Sequence, residues 1–183
     1  MKDLPSLKIV LRQKKARGIP LVWNFYTDIP SLQIIASPRT NKWLDRVKEE
    51  IRVFETWRLF NANVPFKNLR IAKNNPQRFL VDVNVGELFN MGREYWLTVT
   101  INVPISYPKH PPTIGDPRWD REFIMMLRKW TNYKPFCMPP VFRAWWFNFK
   151  GKAGIAHFLQ AFMVFLAVAG KSNFKKKDFI IYH

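Results

Sequence analysis

The spacing of apolar residues changes once along this chain, from a helical repeat to a strand repeat. Within residues 41–60, apolar residues recur every three or four positions: Trp43, Val47, Ile51, Phe54 and Trp57. This spacing places them on one face of an α-helix. Farther along, apolar residues occupy every second position: Leu97, Val99, Ile101 and Val103. Alternation of this kind is typical of a strand with one buried face. The order predicts an α+β fold in which a helix precedes antiparallel strands.

Two more strands are expected between the helix and the clear alternation. The first contains Leu69 and Ile71, and after a turn at residues 74–76 the second carries apolar residues at alternate positions: Val81, Val83 and Val85. Together the strands predict an antiparallel meander. Thr40 is the candidate N-cap of the preceding helix. Residues 1–40 contain four prolines and are expected to be irregular or partly helical.

The charge of the chain favours a polyanionic neighbour. Its 183 residues contain 30 Lys and Arg against 13 Asp and Glu, a net charge of +17. Such an excess indicates nucleic acid, a ribosome, a membrane surface or an acidic protein, and does not choose among them. Basic runs lie at 12–17 and 175–177, no nucleic-acid-binding motif accompanies them, and a solvated surface is the simpler interpretation.

Residues 154–170 are almost all apolar, which suggests either a buried core helix or a membrane anchor. The run is shorter than the roughly 20 residues that span a bilayer, and it contains His157 and Gln160. A core helix is therefore the favoured interpretation. The N-terminus lacks the apolar stretch of a secretory signal.

Cys137 is the single cysteine of the sequence, in a segment bounded by Pro135, Pro139 and Pro140. One cysteine excludes an internal disulfide and fits a reducing compartment, so a cytoplasmic location is expected. A thiol on an irregular loop among cations is placed to react as a thiolate, although a lone cysteine often packs as a small apolar residue.

Other site chemistry has weaker support in the sequence. The histidines lack the spacing of a zinc site, and no phosphate-binding or dinucleotide motif is present, so no metal or cofactor is expected. Asp116, Asp120 and Glu122 lie close together on a predicted loop, where we expect them to be solvated rather than catalytic.

After the last strand the chain carries the pattern P-x-x-Y-P-x-x-x-P, with its motif residues at Pro104, Tyr107, Pro108 and Pro112. A helix, a meander, this loop and then a cysteine resemble the ubiquitin-conjugating enzyme fold. The resemblance implies an N-terminal helix, a four-strand antiparallel meander, an active-site loop and C-terminal helices. It divides the chain into a basic N-terminal extension (1–27), a catalytic domain (28–170) and a basic C-terminal tail (171–183).

Within that superfamily the chain most closely resembles the conjugating enzymes of the ubiquitin-fold modifier system. Four segments carry the resemblance: Asp28-Ile29-Pro30, Trp43-x-x-Arg46-Val47-Lys48-Glu49-Glu50, Asn102–Pro108 and Gly154-Ile155-Ala156-His157. An ungapped count back from Gly154 places the family's catalytic cysteine at Cys137. The resemblance implies that Cys137 accepts a ubiquitin-like modifier as a thioester from an activating enzyme. The modifier then passes to a lysine of a target protein.

The resemblance also implies partners and helper residues. The expected partners are the activating enzyme, the modifier, a ligase scaffold and target lysines. The enzyme is expected to be a monomer, and its positive charge, rather than the resemblance, suggests proximity to a ribosome or membrane surface. No cofactor is implied, because the activating enzyme consumes the ATP. Lys129, Asn132 and Lys134 are candidates for stabilising the thiolate or the oxyanion, and a solvated surface is the alternative for the lysines. Trp146 and His157 are candidates for contacts with the cysteine loop, although His157 is also explained as a packed helical residue.

The chain departs from the family on both sides of the cysteine. The family's threonine-alanine-lysine element reads Leu127-Arg128-Lys129 here, and its leucine-threonine-aspartate reads Met138-Pro139-Pro140. An acidic residue that orients the incoming amine is therefore missing. Two alternatives to the enzyme are a non-catalytic adaptor of the same fold and a basic RNA- or ribosome-binding module.

Overall fold

The computed structural model describes residues 7–11, 21–25, 29–61, 64–130, 140–169 and 179–182. In chain order the elements are β1 (Leu7–Leu11), β2 (Leu21–Phe25), α1 (Trp43–Phe60), β3 (Phe66–Ile71), β4 (Arg78–Asn84), α2 (Val85–Leu88), β5 (Trp96–Asn102), β6 (Thr113–Ile114), α3 (Arg121–Trp130), α4 (Pro140–Asn148), α5 (Ile155–Ala169) and β7 (Phe179–Tyr182).

The predicted meander is confirmed as a four-stranded antiparallel sheet in the order β3-β4-β5-β6. Val81 pairs with Val99, and Val83 pairs with Leu97. The buried side chains on this face are Val81, Val83, Val99 and Ile101. The buried face lies against α1. This arrangement confirms the ubiquitin-conjugating-enzyme-like α+β architecture.

The second strand ends earlier than the alternation predicted. The Asn84 side chain accepts a hydrogen bond from the Glu87 backbone N–H and caps the short helix α2. Val85 therefore begins a helix instead of continuing β4, although it is as buried as the valines before it. A capping residue at the strand end outweighs the continued apolar pattern.

The predicted apolar face of α1 is confirmed, but its predicted cap is wrong. Trp43, Val47, Phe54 and Trp57 are buried, as the helical spacing required. The Thr40 hydroxyl, however, donates to the Ser37 carbonyl (2.8 Å). The helix begins after Lys42 with no side-chain cap. Thr40 closes the turn that leads into the helix.

The expectation of irregular or helical structure in the first 40 residues is wrong for the two segments that form β1 and β2. These strands pair in an antiparallel register that places Leu7 opposite Phe25. β7, from the predicted C-terminal tail, pairs with the other edge of β1, with Lys8 opposite Tyr182. The N-terminal extension and the C-terminal tail thus share a three-stranded sheet in the order β2-β1-β7.

The apolar segment near the C-terminus forms α5, which packs on α1. Ile155, Phe158 and Leu159 are buried in the core, so the core-helix prediction is confirmed. Within the described parts of the chain, no helix has both the length and the apolar character needed to cross a bilayer.

Candidate active site

Residues 29–36, here called the strap, lie beside α1 and form neither a helix nor a strand. The backbone N–H groups of Gln33 and Ile34 donate to the two carboxylate oxygens of Glu49, both at 2.9 Å. The Leu32 N–H donates to the Lys152 carbonyl (2.9 Å), just ahead of α5. The strap residues Ile29 and Leu32 are themselves buried in the core. The strap therefore joins the start of the domain to both α1 and α5.

The proline-tyrosine loop follows β5 as the sequence motif predicted. Tyr107 is fully buried, and its backbone N–H donates to the Pro104 carbonyl (2.9 Å). The bond between Tyr107 and Pro108 is cis. The Tyr107 ring packs edge-on against Trp43 of α1, with ring centroids 5.9 Å apart. Pro112 is buried and Pro104 half-buried, so the motif residues anchor the exit from the sheet.

A buried ion pair lies directly under this loop. Arg46 Nε donates to Glu50 Oε1 at 2.8 Å, and both side chains are fully buried. The Tyr107 hydroxyl donates to the same carboxylate oxygen of Glu50. The guanidinium also donates to three backbone carbonyls, those of Ile34, Gly151 and Ala153. The ion pair therefore connects the strap, α1, the Tyr107 loop and the approach to α5.

The second oxygen of Glu50 fixes the start of α5. Glu50 Oε2 accepts a hydrogen bond from the Ile155 backbone N–H (2.8 Å). A Cβ added at Gly154 would collide with that same oxygen and lie 2.6 Å from Leu32 Cδ1. Any larger residue would require Glu50 or Leu32 to move, which gives a physical reason for the glycine of the Gly154–His157 motif.

Burial and mutual contact set the pKa values in this network. Burial raises the pKa of Tyr107 well above its ordinary value, and the neighbouring carboxylate of Glu50 adds to the effect. Burial alone acts to lower the pKa of Arg46, but Tyr107 and Glu50 outweigh it and raise that pKa. Burial likewise raises the pKa of Glu50, opposed by the charge of Arg46. The phenol thus keeps its proton for the hydrogen bond, and the guanidinium stays charged.

His157 is packed in the core in the first turn of α5. It is fully buried, and its Nδ1 accepts a hydrogen bond from the Gly154 backbone N–H (3.1 Å). Burial lowers its pKa to about 3; the charge of Arg46 adds to this, and the backbone of Ile29 partly opposes it. Its ring lies 5.2 Å from that of Phe149. A histidine held neutral in this way stabilises the turn into α5 and supplies no charge at neutral pH.

Trp146 connects the proline-tyrosine loop to α4. It is buried, and its Nε1 donates to the Pro108 carbonyl (2.9 Å) while its ring packs on Tyr107. Tyr107, Pro108 and Trp146 also line an open groove of about 460 Å³. Ile35 and Phe147 contribute to the same groove. The position of α4 is therefore coupled to the buried network through Trp146.

The cysteine segment lies between two described helices. α3 ends at Trp130 and α4 begins at Pro140. Cys137, Asn132 and Lys134 fall between them, outside the described residues. Lys129 is exposed in the last turn of α3. The structure thus brings Tyr107, Pro108 and Trp146 together, and positions the helices on either side of the cysteine.

The expectation of a solvated acidic cluster is wrong for two of its three residues. Asp120 is buried, and its Oδ2 accepts from the backbone N–H groups of Thr100 (2.9 Å) and Asp116 (2.7 Å). Asp116 is also buried; its hydrogen bond with Arg118 is the main reason that its pKa falls to about 2. These carboxylates tie the turn before α3 to the sheet. Only Glu122 is exposed, as expected.

Arg46 and Glu50 were not among the site residues predicted from the sequence, although both lie in a segment quoted for the family resemblance. A signal was available. Both positions follow the same three-to-four-residue spacing as the apolar face of α1. Opposite charges four residues apart within an apolar face indicate a buried ion pair.

Comparison with known proteins agrees with the fold and the motifs. Residues 23–170 match the family model for ubiquitin-fold modifier-conjugating enzyme 1. A rice protein of that name (Oryza sativa subsp. japonica) is 28% identical over 133 residues, which cover 72% of this chain and 69% of the rice protein. The range matched by the family model spans α1 to α5 and includes position 137.

Proposed function

This chain belongs to the family of ubiquitin-fold modifier-conjugating enzymes, and we propose that Cys137 carries the modifier as a thioester. Membership makes the protein a conjugating enzyme, a transferase. Such an enzyme requires an activating enzyme that supplies the modifier and a ligase or target that receives it. The observation that carries the assignment to Cys137 is its position: the only cysteine of the sequence lies inside the range matched by the family model.

Two acyl transfers make up the proposed reaction. The Cys137 thiolate attacks the thioester carbonyl between the modifier and the activating enzyme, and the thiolate of that enzyme leaves. An ε-amine of a target lysine then attacks the new thioester. The amine loses a proton, an isopeptide bond forms and the Cys137 thiolate is released. Each step passes through a tetrahedral oxyanion that needs hydrogen-bond donors.

Three side chains near Cys137 are proposed to assist. Lys129 and Lys134 favour the thiolate over the thiol, because a nearby cation lowers the pKa of a cysteine. The Asn132 amide is the candidate donor to the oxyanion. Because Pro140 stands where the family pattern has an aspartate, the incoming amine is proposed to be oriented by other groups.

The buried network supports this proposal by its location. Through Glu50 it fixes the start of α5, and through Tyr107, Pro108 and Trp146 it fixes α4. α4 begins at Pro140, directly after the cysteine segment. Reacting groups need a rigid supporting shell to keep their geometry. The network is therefore proposed to position the active-site segment without touching the reacting atoms.

The test is a loading assay with the activating enzyme, the modifier and ATP, analysed on a non-reducing gel. We expect one adduct that dithiothreitol removes. Cys137→Ala should abolish the adduct, and Cys137→Ser should leave an oxyester that resists dithiothreitol. Loading that persists in Cys137→Ala would refute the assignment, and a wild-type protein that never loads would favour an adaptor of the same fold.

The contribution of Lys129 can be measured in the same assay. We expect Lys129→Gln to slow loading at neutral pH and to lose less of the rate at pH 9, where more of any cysteine is ionised. Lys152→Gln is the matched control, since Lys152 is also exposed but precedes α5. Equal rates for the two variants would remove Lys129 from the site.

A further inference from the structure

A basic and aromatic surface covers the exposed side of α3 and the turn before it, and apart from Lys129 its residues have no role in the proposed conjugation mechanism. We call it the α3 basic face, and its members are Arg78, Arg118, Trp119, Arg121, Met125, Arg128 and Lys129. The opposite side of α3 is buried in the core through Phe123, Ile124 and Leu127. The helix is therefore fixed in one orientation, with the basic side directed to solvent.

Three cations of this face are free to meet an external anion. Arg121, Arg128 and Lys129 are exposed, and none forms an ion pair with any residue that the structure describes. Arg121 and Arg128 lie two helical turns apart, a rise of about 10 Å. At this separation the two guanidinium groups suit two phosphates of one nucleic acid strand better than a single small anion.

Acidic side chains on the same stretch are already engaged. Asp116 binds the guanidinium of Arg118 at 2.8 Å. Glu122 accepts a hydrogen bond from the Tyr95 hydroxyl at 2.6 Å. Asp116 therefore compensates Arg118 rather than the three unpaired cations, whereas Glu122 keeps its negative charge in the first turn of α3.

An exposed ring lies at the N-terminal end of the face. Trp119 is 65% exposed, and the guanidinium carbon of Arg78 lies 5.6 Å from its ring centroid. The exposed Met125 adds an apolar contact one turn into α3. An exposed tryptophan supported by an arginine provides a surface on which an unpaired base can stack.

We propose that the α3 basic face binds single-stranded nucleic acid, with Arg121 and Arg128 contacting phosphates and Trp119 stacking on a base. Cations interleaved with an accessible aromatic ring are the pattern by which proteins bind single strands without sequence preference. A membrane surface fits less well, because an interfacial helix inserts an apolar face and that of α3 is buried in the core. A duplex leaves Trp119 without a base on which to stack.

The test uses the full chain and fluorescein-labelled 16-nucleotide oligo(U) and oligo(dT), with anisotropy measured between 50 and 200 mM NaCl. Each lost phosphate contact reduces the salt slope by roughly 0.7 for a single strand. The double variant Arg121→Gln/Arg128→Gln should therefore flatten the slope by about 1.4. The matched control, Lys48→Gln/Lys109→Gln, removes two exposed lysines elsewhere and should leave the slope nearly unchanged.

Stacking is tested separately. Trp119→Ala should weaken binding to the single strand by about fivefold or more, whereas Trp119→Phe should retain most of it. Binding to a duplex of the same length should be insensitive to Trp119→Ala. Circular dichroism melting of each variant checks that the fold is retained.

Several outcomes would overturn the proposal. Equal losses in the two double variants would indicate binding through overall charge or through the basic termini. Binding to vesicles of 30% phosphatidylserine but not to either oligonucleotide would assign the face to a membrane. The result is independent of the thioester proposal, because Cys137→Ala should bind the oligonucleotides normally and Arg121→Gln/Arg128→Gln should load the modifier normally.

Discussion

Acidification should destabilise this protein through one buried histidine, at a pH well above that at which Asp116 is protonated. His157 has a pKa of about 3 in the folded chain, chiefly because of burial. In the unfolded chain its pKa returns to about 6.5. Between pH 6.5 and pH 3, His157 binds a proton in the unfolded state but not in the folded state. The free energy of unfolding therefore falls as the pH falls.

The size of the effect follows from these two pKa values. At pH 7.5 both states are almost neutral at His157, and the contribution is close to zero. At pH 5.0 most unfolded molecules carry the proton, which amounts to about 2 kcal/mol in favour of unfolding. The pKa of Asp116, at about 2, places its own contribution below pH 4. The two effects are therefore separated on the pH scale.

The assay is urea unfolding at pH 7.5 and pH 5.0 for the wild type and for His157→Gln. The variant is less stable at pH 7.5, because the Gly154 N–H loses its imidazole acceptor, but it should lack the histidine's share of the pH dependence. The wild type should therefore lose about 2 kcal/mol more than the variant between the two pH values. If the variant is too unstable to measure, the His157 ring resonances in the wild type provide the same information.

The reasoning would be refuted if the two proteins showed the same pH dependence. It would equally fail if the His157 ring in the folded protein titrated near pH 6.5. Either result would mean that burial does not hold the His157 ring neutral in the folded protein.

Three substitutions test the network that supports the site. Glu50→Gln leaves the charge of Arg46 buried without a carboxylate, so urea unfolding should show a loss of about 3 kcal/mol or more. Gly154→Ala places a methyl group against Glu50, and we expect a loss of about 1–3 kcal/mol together with slower modifier loading on the gel. Trp146→Phe keeps an aromatic ring but leaves the Pro108 carbonyl without its donor. Trp146→Phe should lower the free energy of unfolding by about 1–3 kcal/mol. It should also slow modifier loading at a temperature where the variant is fully folded, so that the slower rate is not caused by unfolding. Loading at the wild-type rate in that variant would argue against coupling through α4.

The sequence was sufficient for elements whose partners are close along the chain. The helical spacing from Trp43 to Trp57 and the alternation from Leu97 to Val103 each report one buried face directly. The meander follows because successive strands joined by short turns pair with one another. Val85 marks the limit of this logic, since the cap at Asn84 redirected the chain where the apolar pattern continued.

The small sheet of β1, β2 and β7 could not be predicted in the same way. The pairing of Lys8 with Tyr182 joins the two ends of the chain. No local period reports such a contact, and the basic residues and prolines around these strands favoured irregular structure. Strand pairing across a whole chain depends on the fold that brings its ends together.

The buried network was hidden for a different reason. Arg46 and Glu50 carry charges, and charged residues on a helix are usually exposed. Their burial depends on Tyr107 and on carbonyls that belong to other segments. Sequence spacing placed both residues on the core side of α1. It could not show the hydrogen-bond partners that stabilise their buried charges, because those partners lie far away in the sequence.

That same network limits how the sequence can change over evolutionary time. A chain that loses only one of Arg46, Glu50 and Tyr107 retains a buried charge or donor without its partner, so intermediates along a stepwise exchange are poorly folded. Descendant sequences are expected to keep the three residues as a set or to replace them together. The exposed Lys48, within the same stretch of α1, is expected to vary freely.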